Sequence, residues 1–199
     1  MESEVKRVLH RLEEEDVEDR KMDDRPREER MFTLHSDSAQ LLHIMIQTAG
    51  CKRLVEIGVA FGYSTIWLAH AAQLTGGRLT SLEVNPKTLE FGKQNVAEAG
   101  LSDMVDFIEG DALETLHDIQ GPLDFVMMDC WEEIYIPCLE IIVPLLRPGG
   151  LLVTDNVTPG ESGTDPFIKV LREHPLMETV SVPIGRDIEI SVKSLTVMG

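Results

Sequence analysis

The fold is decided by a short stretch, VEIGVAFGYS at residues 55–64, in which an apolar run ends at Gly58. A second glycine, Gly62, follows after the small residue Ala60. A short buried strand is predicted for RLVEIG, and a helix for YSTIWLAHAAQL, which follows the glycines. A glycine-rich turn between a strand and a helix is a common place for a nucleotide to bind. The question is therefore which nucleotide this turn suits.

The alternation of strand and helix continues from this turn towards the C-terminus. Four more strands are predicted for RLTSLEV, MVDFIEG, LDFVMMD and GGLLVTDNV, with helices between them. One of these helices begins at Pro86 and ends at Gly100. The chain then adds the helix DPFIKVLREH and two strands, METVSVPIG and DIEISVKSLTV, which a short turn can join as an antiparallel hairpin. This order predicts an α/β fold with a parallel sheet covered on both faces.

The N-terminal part is predicted to contain two helices and a charged linker. Residues 1–30 carry 12 acidic and 8 basic side chains, and apolar residues at helical spacing predict a short amphipathic helix: Val5, Val8, Leu9 and Leu12. The charges of this segment are predicted to be solvated. A second helix is predicted for SDSAQLLHIMIQTAG, capped by Ser36 or Asp37 and ended by Gly50. We therefore expect a charged helix and linker over residues 1–30, and a single α/β domain over residues 31–199.

Length and charge restrict the possible function classes. A chain of 199 residues suits one domain, and no stretch reaches the roughly 20 apolar residues that a membrane span needs. We therefore expect no membrane partner and a cytoplasmic location. The net charge of −17 argues against nucleic acid as a partner, because phosphate binding requires a basic face. The three cysteines fit neither a disulfide framework nor a zinc motif, so all three are predicted to be buried thiols.

The glycine turn is predicted to bind adenosine rather than a pyrophosphate. Its pattern from Gly58, G-x-A-x-G, differs from G-x-G-x-x-G, and no Gly-Lys-Ser/Thr sequence closes it. Glu83 ends the second core strand, where a carboxylate can accept hydrogen bonds from both ribose hydroxyls. Asp111, or the backbone around Ala112, follows the third strand, over the expected position of an adenine. Together these residues predict an adenosine pocket without a phosphate site.

Three oxygen-bearing side chains follow the next two strands. Asp129 ends the fourth strand, and Asp155 and Asn156 end the fifth. Because the carboxyl ends of parallel strands lie at one edge of a sheet, these side chains can converge. Oxygen ligands suit hard cations such as Mg²⁺ or Ca²⁺, and three protein ligands leave coordination positions open for water or two vicinal hydroxyls. The sequence therefore predicts a divalent metal site, most simply for Mg²⁺.

Several motifs follow one another in a specific order from about residue 31 to the C-terminus. They are Glu56-x-Gly58, GYS at 62–64, Glu83, GDA at 110–112, DFVMMDCWEEIY and LRPGGLLVTDNV. In this order they resemble the metal-dependent O-methyltransferases, which include catechol and caffeoyl-CoA O-methyltransferases. The resemblance implies a Rossmann-like three-layer sandwich, with a seven-stranded, mostly parallel sheet whose last strand is antiparallel. It also implies that the cofactor is S-adenosylmethionine and that residues 31–199 form the methyltransferase domain.

The resemblance implies which residues hold each part of the cofactor. Glu56 and the Gly58 backbone would hold its methionine end, and Glu83 would bind its ribose. The segment around Thr33 and Leu34 would fold over it. The remaining members of the implied cofactor site are Gly62, Ser64 near the carboxylate, Asp111, Ala112 at the adenine, and Asp129.

The implied chemistry is methyl transfer assisted by the metal. A cation held by Asp129 and its neighbours would lower the pKa of an acceptor hydroxyl, and the oxyanion could then attack the sulfonium methyl group in line. In relatives a lysine lies three residues after the first metal-binding Asp, whereas this chain has Glu132. We expect either that metal-assisted ionisation suffices or that Glu132 joins the metal shell. His35, near the segment that would cover the cofactor, is a further candidate base.

The acceptor side departs from the family pattern. Trp131 is the aromatic residue predicted to face an acceptor, while the loop DNVTPGESGTDP is short and polar. Arg186 and Asp187 stand where relatives often have Asp-Gly. The resemblance therefore does not identify the substrate.

The leading hypothesis is a small-molecule O-methyltransferase that acts on a hydroxylated acceptor, most simply an aromatic vicinal diol. One alternative is a tRNA hydroxyuridine methyltransferase of the same family, against which the acidic charge argues. A second alternative is an S-adenosylmethionine-binding protein without turnover. Nicotinamide-dependent oxidoreduction is disfavoured, because the glycine spacing is wrong and no Tyr-x-x-x-Lys motif is present. A homodimer in which the N-terminal helix forms the contact is possible.

Overall fold

A computed structural model of the chain describes residues 1–22, 26 and 30–195. The helices are α1 (Ser3–Asp19), α2 (Ser36–Ala49), α3 (Tyr63–Thr75), α4 (Pro86–Glu98), α5 (Ala112–Thr115), α6 (Tyr135–Leu145) and α7 (Asp165–Glu173). The strands are β1 (Arg53–Ile57), β2 (Arg78–Glu83), β3 (Val105–Glu109), β4 (Leu123–Met128), β5 (Leu146–Asp155), β6 (Met177–Val182) and β7 (Ile188–Lys193). Short 3-10 turns lie at Ser102–Met104, Leu116–Asp118 and Glu132–Ile134. No helix in the described ranges combines the length and the apolar character needed to cross a membrane.

The strands form one seven-stranded sheet in the order β3-β2-β1-β4-β5-β7-β6. Strands β1 to β5 pair in parallel, and β7 runs antiparallel to both of its neighbours. The predicted fold class is confirmed, including the antiparallel last strand and the C-terminal hairpin. The last strand is predicted to reach residue 197, whereas β7 ends at Lys193. Residues 196–199 lie outside the described part of the chain.

Helices cover both faces of the sheet, and the alternation of buried side chains along the strands explains why. On β4, Phe125 and Met127 belong to a core cluster with residues of α1, α2, α3 and α4. Val126 and Met128, which point the other way, belong to a second cluster with residues of α5, α6 and α7. Successive side chains of a strand face opposite sides, so a continuous apolar strand requires a cover on each face.

The N-terminal helix packs onto the domain as its pattern predicts, but two of its acids are not solvated. The apolar residues predicted for its inner face are all buried: Val5, Val8, Leu9 and Leu12. Asp16 and Asp19 are also buried, with exposed fractions of 7% and 4%. The prediction that the charges of this segment are solvated is therefore wrong for these two residues. Of the predicted linker, residues 23–25 and 27–29 lie outside the described part of the chain.

The second helix starts differently from the prediction. The N-cap of α2 is His35, whose ring Nδ1 accepts a hydrogen bond from the Asp37 backbone N–H at 3.3 Å. A ring nitrogen of histidine that carries no hydrogen can accept this bond in place of the usual capping oxygen. The predicted caps, Ser36 and Asp37, therefore lie one and two residues inside the helix. The end at Gly50, in the left-handed conformation, is confirmed.

Candidate cofactor and metal site

The carboxyl ends of β1 and β4 touch at the glycine turn. Gly58 has a φ of +97°, and a Cβ atom at this position would lie 1.9 Å from the backbone oxygen of Asp129. Glycine is therefore required both by conformation and by the close approach of the two backbones. Gly62, with a φ of +81°, caps α3 through its backbone alone. The first-turn N–H groups of α3 consequently face the turn, where they could bind a carboxylate.

Glu56 lies on β1 beneath this turn and is completely buried. Ser64 and Thr65 donate hydrogen bonds to its carboxylate at 2.6 and 2.7 Å, and Ser81 on β2 donates another at 2.8 Å. Burial raises the pKa of Glu56 to about 7, although the three hydroxyls act in the opposite direction. Three hydroxyls of the chain therefore already serve as partners of the buried Glu56 carboxylate. Its role at the methionine end stays a prediction.

Glu83 ends β2 and fixes the conformation of the glycine turn. Its Oε2 accepts hydrogen bonds from the backbone N–H groups of Val59 and Ala60, both at 2.9 Å, and its Oε1 accepts one from Asn85, also at 2.9 Å. An ionised carboxylate has about four lone-pair positions, so these three bonds leave capacity for a ribose hydroxyl. The structure thus assigns Glu83 a role in shaping the turn, and ribose binding stays a prediction.

The tip of β3 is formed by Gly110, Asp111 and Ala112. Asp111 is the N-cap of α5, and its Oδ1 accepts a hydrogen bond from the Leu113 backbone N–H at 2.8 Å. Ala112 is buried, with an exposed fraction of 7%, and its small side chain sits at the first position of α5. The two residues are therefore placed at the same sheet edge as Gly58 and Glu83, as the predicted adenosine pocket requires.

Residues 31–34, which we call the strap, run over this edge and are anchored by α1. The Met31 N–H donates to Asp19 Oδ2 at 3.1 Å, and the Thr33 N–H donates to Asp16 Oδ1 at 3.3 Å. Leu34 is buried. The Thr33 hydroxyl oxygen is also buried, and no hydrogen-bond partner for it exists within the described ranges. A buried hydroxyl without a partner is costly, which indicates a ligand or solvent partner at this position.

An aromatic pair connects the strap with the segment that follows β4. Phe32, in the strap, adopts a φ of +42°, and its ring meets that of Trp131 edge to face with centroids 6.5 Å apart. Phe32 is 41% exposed and Trp131 is also 41% exposed. Trp131 is therefore accessible to a ligand, and its role of facing an acceptor stays a prediction. Phe32 was missed, because an isolated phenylalanine in a loop carries no signal of its own.

The predicted metal ligands converge at the ends of β4 and β5. The Asn156 Nδ2 donates a hydrogen bond to Asp129 Oδ1 at 3.0 Å, and Asn156 adopts a φ of +56°. Asp155 is buried beside them, and its backbone oxygen accepts a hydrogen bond from the Tyr135 hydroxyl at 3.0 Å. Across residues 1–22, 26 and 30–195, no group of three or more His, Cys, Asp and Glu side chains is arranged for a metal ion. The candidate set has only two carboxylates, and its third member is the amide of Asn156.

The two carboxyl groups of this set share an unfavourable electrostatic environment. Burial raises the pKa of Asp129 well above its ordinary value, and the negative charges of Asp155 and Glu56 raise it further. Burial also raises the pKa of Asp155 to about 6. Arg186 acts in the opposite direction on both groups. A cation between the two carboxylates would relieve this repulsion, which is the usual setting of a metal site.

The two other candidate catalytic groups do not join these carboxylates. Glu132 is exposed, and its carboxylate oxygens lie 2.5 and 2.6 Å from the position of a Cβ built on Gly163, in the loop after β5. His35 is exposed, and its Nδ1 is used as the cap of α2. Neither residue has a hydrogen bond to Asp129 or Asp155 among the described residues. Their proposed roles as base or metal ligand stay predictions.

Arg186 is the second site residue that sequence reasoning did not assign. The sequence carried one signal for it: Arg186 and Asp187 stand where relatives often have Asp-Gly. The turn that carries it could be placed beside the acid pair only once the pairing of β5 with β7 was known.

Comparison with known proteins places this geometry in a family. Residues 6–193 match the family described as O-methyltransferase. A catechol O-methyltransferase of Mycobacterium tuberculosis is 35% identical over 130 residues, covering 65% of this chain and 59% of that protein. Caffeoyl-CoA O-methyltransferase 2 of Zea mays is 30% identical over 173 residues, covering 80% of this chain and 65% of that protein. The chain thus spans less than two thirds of the length of these two relatives. A crystal structure of a cofactor-bound protein from MTB superposes with a TM-score of 0.80 at 25% identity, covering 94% of this chain and 89% of that one.

Proposed function

Because the chain belongs to the O-methyltransferase family, we propose that it transfers a methyl group from S-adenosylmethionine to a hydroxyl of a small acceptor. We further propose that the acceptor is a catechol-like diol and that Mg²⁺ assists the reaction. The names of the two relatives, a catechol and a caffeoyl-CoA O-methyltransferase, support this class of acceptor.

The residues at the glycine turn fit S-adenosylmethionine. The close approach of Gly58 to Asp129 leaves no side chain between the turn and the acid pair. The first turn of α3 offers backbone N–H groups to the carboxylate of an amino acid. The Thr33 hydroxyl, which has no hydrogen-bond partner in the described part of the chain, supplies a polar atom on the strap side. The turn, α3 and the strap would hold the methionine end, and Glu83 with Ala112 would border the ribose and adenine.

The residues at the ends of β4 and β5 fit a hard divalent cation. Asp129, Asp155 and Asn156 can each present an oxygen atom to a cation, and both acids have raised pKa values that a cation would lower. Asn156 must turn its amide to present oxygen, since its nitrogen now faces Asp129. This donor set is compatible with Mg²⁺, which is commonly bound through one or two carboxylates and several waters.

The residues of the chain would align the acceptor and exclude water. When bound, the sulfonium cofactor would supply the methyl group, and the cation would favour ionisation of an acceptor hydroxyl. Asp129 connects the two halves of the site, because its backbone contacts Gly58 and its side chain contacts Asn156. Phe32 and Trp131 would cover the acceptor ring and keep it in line with the cofactor. The released proton would leave to solvent past the exposed carboxylate of Glu132.

One observation carries this proposal: the adenosine-side turn and the acid pair meet at the contact between Gly58 and Asp129. Two sites that share a backbone contact can bring a methyl donor and an ionised hydroxyl together. Methyl transfer depends mainly on that proximity and alignment.

The test is a calorimetric titration with S-adenosylhomocysteine, with and without Mg²⁺, followed by a methylation assay on a panel of diphenols. Asp155→Asn should retain binding of S-adenosylhomocysteine and lose activity by about tenfold or more, because it removes one charge from the acid pair. The matched control is Asp103→Asn, which removes the same charge from an exposed position ahead of β3, at the opposite sheet edge. The control should keep full activity.

Each outcome separates the alternatives. Binding of S-adenosylhomocysteine without methylation of any diphenol, with or without Mg²⁺, would favour a cofactor-binding protein without turnover. Equal activity of Asp155→Asn and the wild type would remove the metal proposal. No binding of S-adenosylhomocysteine would contradict the assignment of the pocket itself.

A further inference from the structure

The turn between β6 and β7 is held directly beside the acid pair. Ile188, the first residue of β7, pairs with Asp155 on β5. The Val157 N–H donates a hydrogen bond to the Asp187 backbone oxygen at 3.1 Å, and the Thr158 hydroxyl donates one to the Arg186 backbone oxygen at 3.3 Å. Arg186 is therefore fixed against the chain segment that immediately follows the metal-ligand candidates.

The other side of this turn packs against the start of α2. A Cβ atom on Gly185 would lie 2.7 Å from His35 Cβ and 2.8 Å from Ser38 Oγ. Gly185 is in the left-handed region, with a φ of +62°. The turn therefore packs between the start of α2, which follows the strap, and the loop after β5. This arrangement gives Arg186 a defined place at the rim of the site.

The Arg186 side chain carries a positive charge at the rim of the site. It is exposed, and in the part of the chain that the structure describes its guanidinium forms no hydrogen bond or ion pair. Its backbone is held beside the end of β5, so its positive charge lies near the acid pair of Asp129 and Asp155. An arginine close to two carboxylates, yet not bonded to either, remains available to a third anion.

The charge balance of the site indicates what that anion is. A divalent cation at Asp129 and Asp155 would neutralise the pair, and Arg186 would then be a second positive charge without compensation. The protein as a whole, with a net charge of −17, repels anions, so an anionic acceptor would need a specific cation at the site. The planar fork of a guanidinium fits a carboxylate through two parallel hydrogen bonds.

We propose that Arg186 binds an anionic group on the acceptor, so that the preferred acceptors are aromatic vicinal diols that carry a carboxylate. This inference rests on the proposed function, because it concerns the acceptor of the same site. Arg186 is then a specificity-determining residue, and the turn of β6 and β7 sets the distance between the carboxylate and the reacting hydroxyls.

The experiment compares a dihydroxybenzoate with the corresponding dihydroxybenzyl alcohol, which has the same diol but no charge. Binding of each is measured by calorimetry in the presence of S-adenosylhomocysteine and Mg²⁺, and turnover is measured with S-adenosylmethionine. The variants are Arg186→Gln and Arg186→Lys. The matched control is Lys169→Gln, which removes one positive charge from the exposed face of α7.

We expect Arg186→Gln to reduce the preference for the acid over the alcohol by about tenfold, because a hydrogen bond to a charged group is worth roughly that factor. Arg186→Lys should keep part of the preference, since it retains the charge but not the fork. Lys169→Gln should keep all of it.

A wild-type protein that binds and methylates both compounds equally well would overturn the inference while leaving the proposed function intact. An Arg186→Gln variant with unchanged preference and tighter Mg²⁺ binding would also overturn it, because Arg186 would then be an internal counter-ion of the acid pair. Binding of the acid that depends on Arg186, without methylation of either compound, would support the inference and contradict the proposed function.

Discussion

Gly58 joins the two halves of the candidate site, and a single methyl group tests that contact. In Gly58→Ala the Cβ atom would clash with the Asp129 backbone oxygen at 1.9 Å, at a φ of +97° that side chains disfavour. We expect a loss of about 3 kcal/mol or more in the free energy of unfolding, measured by urea denaturation. Binding of S-adenosylhomocysteine should weaken as well, because Asp129 must move.

A substitution at a second glycine measures the cost of backbone strain without a steric clash. Gly76 also has a positive φ, +68°, but a Cβ atom there would have no neighbour within 4 Å among the described residues. Gly76→Ala should therefore cost only about 1 kcal/mol, the conformational part of the effect. Equal losses in the two variants would mean that the close approach of β1 and β4 does not exist in solution.

Glu56 should make the stability of the protein depend on pH. Its pKa is about 7 in the folded chain, against an ordinary value of 4.5. The folded state therefore holds the proton more tightly than the unfolded state. The stabilising contribution is complete below pH 4.5 and is lost as the pH rises through 7, up to a limit of about 3 kcal/mol.

The comparison of wild type with Glu56→Gln isolates this group from Asp129 and Asp155, which also have raised pKa values. The amide cannot ionise, so the stability of the variant should fall less than that of the wild type between pH 5 and pH 8. Urea denaturation at several pH values measures both slopes. Parallel slopes would show that Glu56 is already ionised at pH 5 in the folded protein.

At the residue scale, sequence reasoning identified positions better than partners. Glu83 and Asp129 were singled out from their places at strand ends, and Glu56 from the family resemblance. The hydroxyls around Glu56 and the backbone N–H groups around Glu83 could not be predicted. They depend on how the first turn of α3 and the glycine turn orient their groups in three dimensions.

Among the elements, α1 acts on the site through its C-terminal end. Asp16 and Asp19 are buried and accept hydrogen bonds from the backbone of the strap. The apolar face of α1 was predictable from helical periodicity. The anchoring of the strap could not be predicted, because both acids lie in a strongly charged run. Asp19 binds a residue 12 positions further along the chain, and Asp16 binds one 17 positions further along.

Replacing one anchor should loosen the strap without unfolding the helix. In Asp19→Asn the amide can still accept from the Met31 N–H, but the charge that strengthens this bond is lost. We expect binding of S-adenosylhomocysteine to weaken by about fivefold, since the bond contributes roughly 1 kcal/mol to ordering the strap. The control is Glu18→Gln, an exposed acid on the same turn that pairs only with Lys21 within the described ranges. If both variants bind equally well, the strap does not cover the cofactor.

For the whole molecule, the sheet was predictable and the site was only partly so. Alternating strand and helix patterns fix a parallel sheet, and the rule that ligands bind at the carboxyl edge brings together Glu83, Asp129 and Asp155. The place of Arg186 depends on the insertion of β7 between β5 and β6. A hairpin pattern predicts that two strands pair, but not which of them joins the rest of the sheet.

Charge is the property of the whole molecule that separates a small acceptor from tRNA. Among the described residues, six arginines are ion-paired with carboxylates: Arg7, Arg11, Arg20, Arg78, Arg147 and Arg172. Their pairing, in a chain with a net charge of −17, leaves little positive potential for a phosphate backbone.

We therefore predict that tRNA binds more weakly than about 10⁻⁴ M at physiological salt, the weak end of non-specific binding. A fluorescence-anisotropy titration with labelled tRNA, repeated over a range of salt concentrations and beside a basic RNA-binding protein as positive control, measures this. Saturable binding that weakens with salt would reveal a local basic surface and revive the tRNA methyltransferase alternative. We expect no binding at any salt concentration. At low salt, where a basic patch would attract RNA most strongly, the acidic surface also repels RNA most strongly.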